Sequence, residues 1–440
     1  MMKHMAIIAD DLTGASDSGV QFARKGLQTQ VIFDLKRFSA EGGGVEAVVI
    51  DTDSRSVPRE DAYARAKEAA AGVRRSGFRH VYKKMDSTLR GNLGAELDGV
   101  MDEIEFDFAV VAPAFPRIGR TTMNGVHCLN GIPVHQTEIA NDPKCPVRES
   151  DLVKLFSSQS RRRAALIELD TLHAGKEALA AAVLSRLEEG AELLIFDAAA
   201  EEDLEKIARW LTASPDRILW AGSAGLADYL PEALALPVRT GSPAALPASS
   251  GEPVLLVAGS ISRVTRAQVA AYNAGAGVAA VEFNTVKGIA SEEGERQEIE
   301  RCRSALLAAL ASGSDASLYA SSSAEDVRLS KEAGAKRGLD STEVSNRIAR
   351  LLGRVASGLM RETKLQGVIL TGGDTAKAVC RELGVSGIQL LREVEPGIPL
   401  GRLIGDIPLP VVTKAGAFGG EHSLSHAKSA LKGESSHEYK

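Results

Sequence analysis

Two adjacent aspartates, Asp10 and Asp11, end the apolar run Ala6–Ala9 in the stretch AIIADDLTGASDSG. Like charges this close repel, and burying either carboxylate demands a cation or a hydrogen-bond donor. A helix N-cap with a first-turn charge explains one acid and leaves the pair only partly explained. A second polar cluster follows another apolar run, in KKMDSTLRGN. There Lys84 and Asp86 alternate onto one strand face, and Ser87 and Thr88 are suited to cap a helix. Arg90 then falls in the first helical turn, where a cation opposes the macrodipole. Either an anionic ligand or an ion pair with Asp86 would explain it. Gly91, Gly94 and Gly99 weaken the same helix by about 1 kcal/mol each relative to Ala, which close packing or ligand approach would explain. Arg55, in DTDSR, has the fork to clamp a carboxylate bidentately, with a surface salt bridge as the alternative. Together these residues suit a small polar anion.

The second half of the chain offers glycine and hydroxyls instead. ILTGGDTAKAV reads as strand, glycine turn and helix. Gly372 and Gly373 let the backbone approach a ligand, the helix start at Asp374 directs free N–H groups at an anion, and Thr371 and Thr375 add hydroxyls. VAGSISRVT repeats the arrangement with Ser260 as its contact, and KAGAFGG supplies a third glycine loop. One such loop is ordinary turn chemistry; three in one domain point to a nucleotide. There is no GxxxxGK[ST] and no GxGxxG after a strand, so neither a P-loop nor a dinucleotide fingerprint is present.

These loops need strands to carry them. Short apolar runs predict strands at Ala6–Ala9, Thr29–Phe33, Ala47–Ile50, His80–Lys84, Phe108–Ala112, Leu193–Phe196 and Ile218–Ala221. The alternation resumes with VLLVAGS, a helix from Thr265, GVAAVEF, a helix near Glu298–Leu310, SLYAS, a helix opened by an Asp340/Glu343 capping box, GVILTGG and a helix from about Asp374. Strands alternating with helices predict an α/β protein of two domains, each a mostly parallel sheet flanked by helices. Ligands then bind beyond the carboxyl ends of the strands, and the active site is expected in the interdomain cleft. The stretch LPVRTGSPAALPASSGEP carries Pro237, Pro243, Pro247 and Pro253 without periodicity. It reads as a linker at 237–253 between domains at 1–236 and 254–440.

Composition narrows the classes. The chain of 440 residues is 44% hydrophobic and 25% charged, ordinary for a soluble protein, with a net charge of -6 and 4% aromatics. Neither a global basic field nor stacking platforms for nucleic acid are present, and no apolar run approaches a membrane span. Four cysteines without a CxxC fit a reducing cytoplasm. The segment 113–150 resists the alternation and reads as a long loop that covers substrate or contacts another subunit. Its His127, Cys128, His135 and Cys145 match no common zinc spacing, so no metal site is assigned.

Taken in order, IADDLTGASDSG, KKMDSTLRGN, APAFPRIGRTTMNG, WAGSAGLA, VAGSIS, LTGGDTA and KAGAFGG resemble the four-carbon acid sugar kinase family over nearly the whole chain. The resemblance implies phosphorylation of threonate, erythronate or 3-oxo-tetronate by ATP with Mg2+. It implies an acid-sugar-binding N-terminal domain and a nucleotide-binding C-terminal domain. Substrate-binding positions carry over to Asp10, Asp11, Arg55, Lys84, Asp86, Ser87, Thr88 and Arg90. Nucleotide-binding positions carry over to Ser260, Gly372, Gly373, Asp374, Thr375 and Gly416. Within the family, DDLTGASDSG is more similar to the threonate branch, since Phe commonly replaces Leu12 in the oxo-tetronate branch. One aspartate would act as base on the terminal hydroxyl, with Asp11 the choice, while the other holds inner hydroxyls or a water-bridged Mg2+. A homodimer is the ordinary prior for such an enzyme. A dehydrogenase on the same hydroxy acid would need the absent nicotinamide fingerprint. A sugar-acid sensor would not need the aspartate pair or the nucleotide loops.

Overall fold

The computed structural model describes residues 3–33, 45–142, 144–239, 250–416 and 418–434. The chain divides into two compact units, residues 1–241 and 242–440. The core of the expected linker, 240–249, lies outside the described residues.

In the first unit the apolar runs form β1 (Met5–Ala9), β2 (Thr29–Ile32), β3 (Ala47–Asp51), β4 (His80–Lys84) and β5 (Phe108–Ala112). Later strands are β6 (Arg120–Met123), β7 (Val126–Leu129), β8 (Ile132–Pro133), β9 (Ala164–Ile167), β10 (Leu193–Phe196) and β11 (Ile218–Gly222). The main sheet runs β2-β3-β1-β4-β11-β5-β10-β9, with every pairing parallel. Every residue of β1, β3 and β5 is buried, which is why these strands read as continuous apolar runs rather than alternations. Both faces carry helices: α1 (Leu12–Ala23), α2 (Arg59–Ser76), α3 (Leu93–Glu103), α4 (Leu152–Gln159), α5 (Leu169–His173), α6 (Lys176–Glu188), α7 (Glu201–Leu211) and α8 (Ala224–Ala233). The sheet order sets β1 between β3 and β4, so the turns after these three strands leave the sheet side by side.

Two local expectations are corrected. Helix α3 begins at Leu93, behind Asn92, and not after Ser87–Thr88. Asp86 accepts from the Thr88 hydroxyl and the Arg90 amide, and Leu89 and Gly91 take φ of 66° and 101°, which no right-handed helix admits. Arg90 therefore sits in a turn, not in a helical first turn. The segment 113–150 is not a bare loop: β6, β7 and β8 form a three-stranded antiparallel sheet, followed by short 3-10 turns. Gly94 and Gly99 are explained by packing, since a Cβ would lie 2.6 Å from the Gln159 carbonyl carbon and 2.5 Å from the Tyr63 oxygen respectively.

The second unit contains β12 (Val254–Ala258), β13 (Val278–Phe283), β14 (Asp315–Ala320), β15 (Gly367–Thr371), β16 (Gly387–Glu395), β17 (Ile398–Ile404) and β18 (Pro410–Lys414). Its order is β13-β14-β12-β15-β18-β17-β16; the first five are parallel, and the β16–β17 hairpin returns antiparallel onto β18. The helices are α9 (Arg263–Asn273), α10 (Thr285–Ala290), α11 (Glu292–Ala311), α12 (Ala324–Ala335), α13 (Ser341–Glu362), α14 (Gly373–Leu383) and α15 (Ser423–Lys432). The capping box read at Asp340 and Glu343 opens α13. The candidate phosphate loops follow the neighbouring strands β12, β15 and β18. Among the described residues no helix is long and apolar enough to cross a membrane.

Candidate active site

The first unit resolves the aspartate pair through Arg55. Asp10 is 1% exposed, and both its oxygens take the guanidinium, Nε to Oδ2 at 2.6 Å and Nη2 to Oδ1 at 3.0 Å. The same Nη2 reaches Asp11 Oδ1 at 2.6 Å. One cation on β3's turn thus offsets the repulsion between two acids on β1's turn. Burial alone would raise the Asp10 carboxyl, but Arg55, with Lys83 and Lys84 behind it, brings it below the ordinary value. Asp11 Oδ1 also accepts the Gly14 amide at 3.0 Å, so the N-cap reading holds for this acid. Its Oδ2 makes none of these bonds. Gly14 is required by close approach: a Cβ would stand 2.7 Å from Asp11 Oδ1 and 3.0 Å from Lys84 Nζ.

Around this pair the second cluster closes. Arg90 grips Asp86 by Nε to Oδ2 at 2.9 Å and Nη2 to Oδ1 at 3.1 Å, and reaches Asp142 at 3.3 Å. Arg55 Nη2 stands 3.6 Å from Asp86. Burial pushes the Asp86 carboxyl up, and Arg90 and Arg55 override it, leaving it well below the usual range. Thr88 bonds Asp86, and Ser87 offers its carbonyl to His127 Nε2 at 2.9 Å. Lys84 differs from the arginines. It is 3% exposed, donates to the Met85 carbonyl at 2.6 Å, and makes no ion pair among the described residues. The site therefore holds one buried cation with no carboxylate of its own, beside two acids held by Arg55.

Sequence reading missed several supports. Lys83 pairs with Glu96 of α3 at 2.7 Å, both fully buried, and Ser54 donates to the other Glu96 oxygen at 2.6 Å. This pair fastens the 52–55 turn to β4. Glu96 at a buried position of α3 was the only available signal. His127, Asp142 and Cys145 come from 113–150: the Cys145 thiol donates to the Arg55 carbonyl at 3.3 Å. His135 bonds the Ser150 hydroxyl at 2.8 Å, and the Ser150 carbonyl accepts the His127 amide. Among the described residues no group of histidines, cysteines and acids could hold a metal ion.

In the second unit the three loops meet. Gly372 caps α14 with φ of 96°, and a Cβ on it would lie 3.5 Å from the Ser260 Cβ and from Thr375 Oγ1. Gly416 lies against Ser260, whose Oγ would be 2.5 Å from an added Cβ. Gly373, Asp374 and Thr375 form the first turn of α14, whose leading amides lack intrahelical partners. Thr371 Oγ1 is buried with no hydrogen-bond partner among the described residues. Ser260, Gly372, Thr375 and Gly416 are thus neighbours, joined in sequence by Gly373 and Asp374. Lys414, overlooked in the sequence, ends β18 beneath the third loop.

Comparison with known proteins matches residues 5–230 to a sugar-binding N-terminal domain and residues 255–424 to a nucleotide-binding C-terminal domain. A D-threonate kinase of Salmonella typhimurium is 34% identical, the alignment covering 96% of this chain and 97% of that protein. A D-erythronate kinase of Heliobacterium modesticaldum is 33% identical, covering 95% and 94%. A 3-oxo-tetronate kinase of Burkholderia multivorans is 29% identical, covering 98% and 97%. A solved Haemophilus influenzae protein, 24% identical, shares the fold with a TM-score of 0.73 over 97% of this chain and 100% of its own. With a sugar-binding domain carrying the Asp10–Asp11–Arg55 constellation and a nucleotide-binding domain carrying the glycine loops, the chain belongs to the four-carbon acid sugar kinases, a family of ATP-dependent phosphotransferases.

Proposed function

We propose that this protein transfers the γ-phosphoryl group of ATP to the terminal hydroxyl of D-threonate, giving D-threonate 4-phosphate and ADP. The observation that carries the sugar-acid half is Lys84, a buried ammonium without an acidic partner among the described residues, beside Asp10 and Asp11. It suits the substrate carboxylate. Arg55 and Arg90 are already held by Asp10 and Asp86, so their part is to shape the pocket and keep its acids ionised. Asp11 Oδ2, outside the Arg55 and Gly14 bonds, takes the hydroxyl. As the hydroxyl oxygen bonds to phosphorus, its proton passes to Oδ2, and the phosphorus bond to the ADP oxygen breaks. In phosphoryl transfer most of the acceleration comes from positioning and charge, so a carboxylate that orients the hydroxyl is adequate here.

On the nucleotide side, Ser260, the 372–375 turn and Gly416 offer amides and hydroxyls to phosphate oxygens. Mg2+ needs one or two carboxylates plus phosphates and water. Asp374, in the first turn of α14, fits that need, and the ion would supply charge neutralisation on the phosphates. Transfer needs the acceptor hydroxyl and the γ-phosphate side by side, so turnover requires the two units to bring them together.

The threonate assignment rests on the DDLTGASDSG wording and on relatives of that activity in Salmonella typhimurium and Bordetella bronchiseptica. D-Erythronate is the second reading, favoured by the Heliobacterium relative at nearly equal identity. A panel of four-carbon sugar acids with ATP and Mg2+, read by ADP release, separates them. D-Threonate should give the highest kcat/KM. A higher value for D-erythronate or a 3-oxo acid replaces the substrate, and no ADP release with any of them sinks the kinase reading.

A further inference from the structure

Four groups claim the carbonyls of the loop after β18 from below. Lys414 Nζ donates to the carbonyls of Ala415 at 2.6 Å, Gly416 at 3.3 Å and Phe418 at 3.2 Å. The Gly416 carbonyl also accepts from Ser262 Oγ at 3.0 Å and Thr265 Oγ1 at 2.9 Å, both from the start of α9. Gln268 Nε2 reaches the Phe418 and Gly420 carbonyls at 3.0 and 2.7 Å. Peptides are trans, so a carbonyl turned onto the ammonium sends the N–H of the same peptide the opposite way. With the Ala415 carbonyl on Lys414, the Gly416 amide faces away from it. The side chain is 1% exposed and makes no ion pair among the described residues, so its hydrogen bonds go to carbonyl oxygens.

We propose that Lys414 is a positioning residue for the nucleotide: its ammonium gathers the carbonyls of Ala415, Gly416 and Phe418, turning the Gly416 amide and its own field toward phosphate. This inference rests on the nucleotide reading of the three glycine loops. Burial, set against the field of Glu395, brings the ammonium down to about 8. Glu395, at the end of β16, is the acid that faces it, and His426 of α15 bonds Glu395 from behind. Thr371 of β15 pairs with Lys414 across the sheet, and Ser262, Thr265 and Gln268 at the start of α9 bond the same loop; none of these titrates. A bound phosphate favours the charged form. Nucleotide affinity should therefore fall as pH rises past about 8, by up to about tenfold per pH unit, with proton uptake on binding.

Calorimetric titration of the full chain with a non-hydrolysable ATP analogue and Mg2+, from pH 6.5 to 9.5, tests this, with D-threonate titration as the control. The native protein should show that rise in Kd for nucleotide and none for the sugar acid. Lys414→Met should weaken nucleotide binding at pH 7 by about 10–100-fold, the usual worth of hydrogen bonds to a charged donor, and abolish the pH dependence. Lys414→Arg, which keeps the cation and cannot titrate here, should recover most of the affinity and stay flat to pH 9.5. A residue that served the fold alone would lower stability without touching the pH profile. If the Met variant does not fold, the native and Arg profiles decide. A flat native profile, or equal slopes in native and Arg proteins, overturns the role of Lys414 and leaves the kinase reading standing. Absence of nucleotide binding by the native protein at every pH overturns both.

Discussion

Asp10 and Asp11 are neighbours with different work, and their hydrogen bonds set the difference. Asp10 spends both oxygens on Arg55, whereas Asp11 spends one oxygen on Arg55 and Gly14 and keeps Oδ2. Asp11→Asn should therefore abolish turnover, by about 10²–10⁴-fold if Oδ2 takes the proton. The fold should persist, since Asn caps α1 as well as Asp does. Asp10→Asn leaves a buried guanidinium poorly matched, and breaking a buried pair costs on the order of 3 kcal/mol. Its melting temperature should drop below that of the Asp11 variant. Thermal melts and saturating rates of both proteins check this. An active Asp11→Asn, retaining more than about a tenth of the rate, would end the assignment of the base.

At the scale of elements, the β6–β7 hairpin holds the 85–92 turn through one histidine. His127 is fully buried between the Thr122 hydroxyl at 2.9 Å and the Ser87 carbonyl. Burial takes its imidazole down to about 4, against an unfolded value near 6.5. The unfolded chain thus binds the proton more readily, and stability falls as pH drops from about 6.5 towards 4, by up to about 3 kcal/mol. Chemical denaturation between pH 7 and 4 should show this loss, and His127→Gln should remove its share of the slope, leaving that of His80. Because the turn it holds carries Asp86 and Arg90, KM for the sugar acid should rise in that variant more than kcat falls. A pH slope unchanged by the substitution would place the titration elsewhere, His80 being the next group depressed by burial.

For the whole molecule, the division of the candidate residues between units 1–241 and 242–440 makes a separable prediction. Each ligand alone should raise the melting temperature, by mass action on the state that binds it; at a hundred times Kd that is about 2.7 kcal/mol. Lys84→Met should erase the shift from D-threonate and leave the shift from the ATP analogue. Gly373→Val should do the reverse, because two methyls at the head of α14 block backbone approach to phosphate. A thermal-shift matrix of two ligands and two variants reads this out. If Gly373→Val leaves the nucleotide shift intact, the phosphate cradle lies outside the 372–375 turn.

The amino-acid sequence by itself determined most of the buried parallel strands, the cap at Asp340 and the family. Buried parallel strands need continuous apolar runs, and α13 announces its start at Asp340 and Glu343; both are local patterns. The order of the glycine loops and the DDLTG and KMDSTLR stretches was enough to indicate the family. Partnerships across the fold were decided only by tertiary structure. Arg55 meets Asp10 across 45 residues because β3 and β1 pair in parallel, and composition cannot encode that sheet order. Arg90 left the helix because the Asp86 carboxylate gathered its turn, a competition between side chain and helix that periodicity does not register. The strands β6–β8 are too short and polar to read as strands, and they form because antiparallel pairing satisfies their backbones. Lys414 sat in a glycine-rich motif and was passed over, because a lysine becomes informative only when the fold buries its charge among carbonyls.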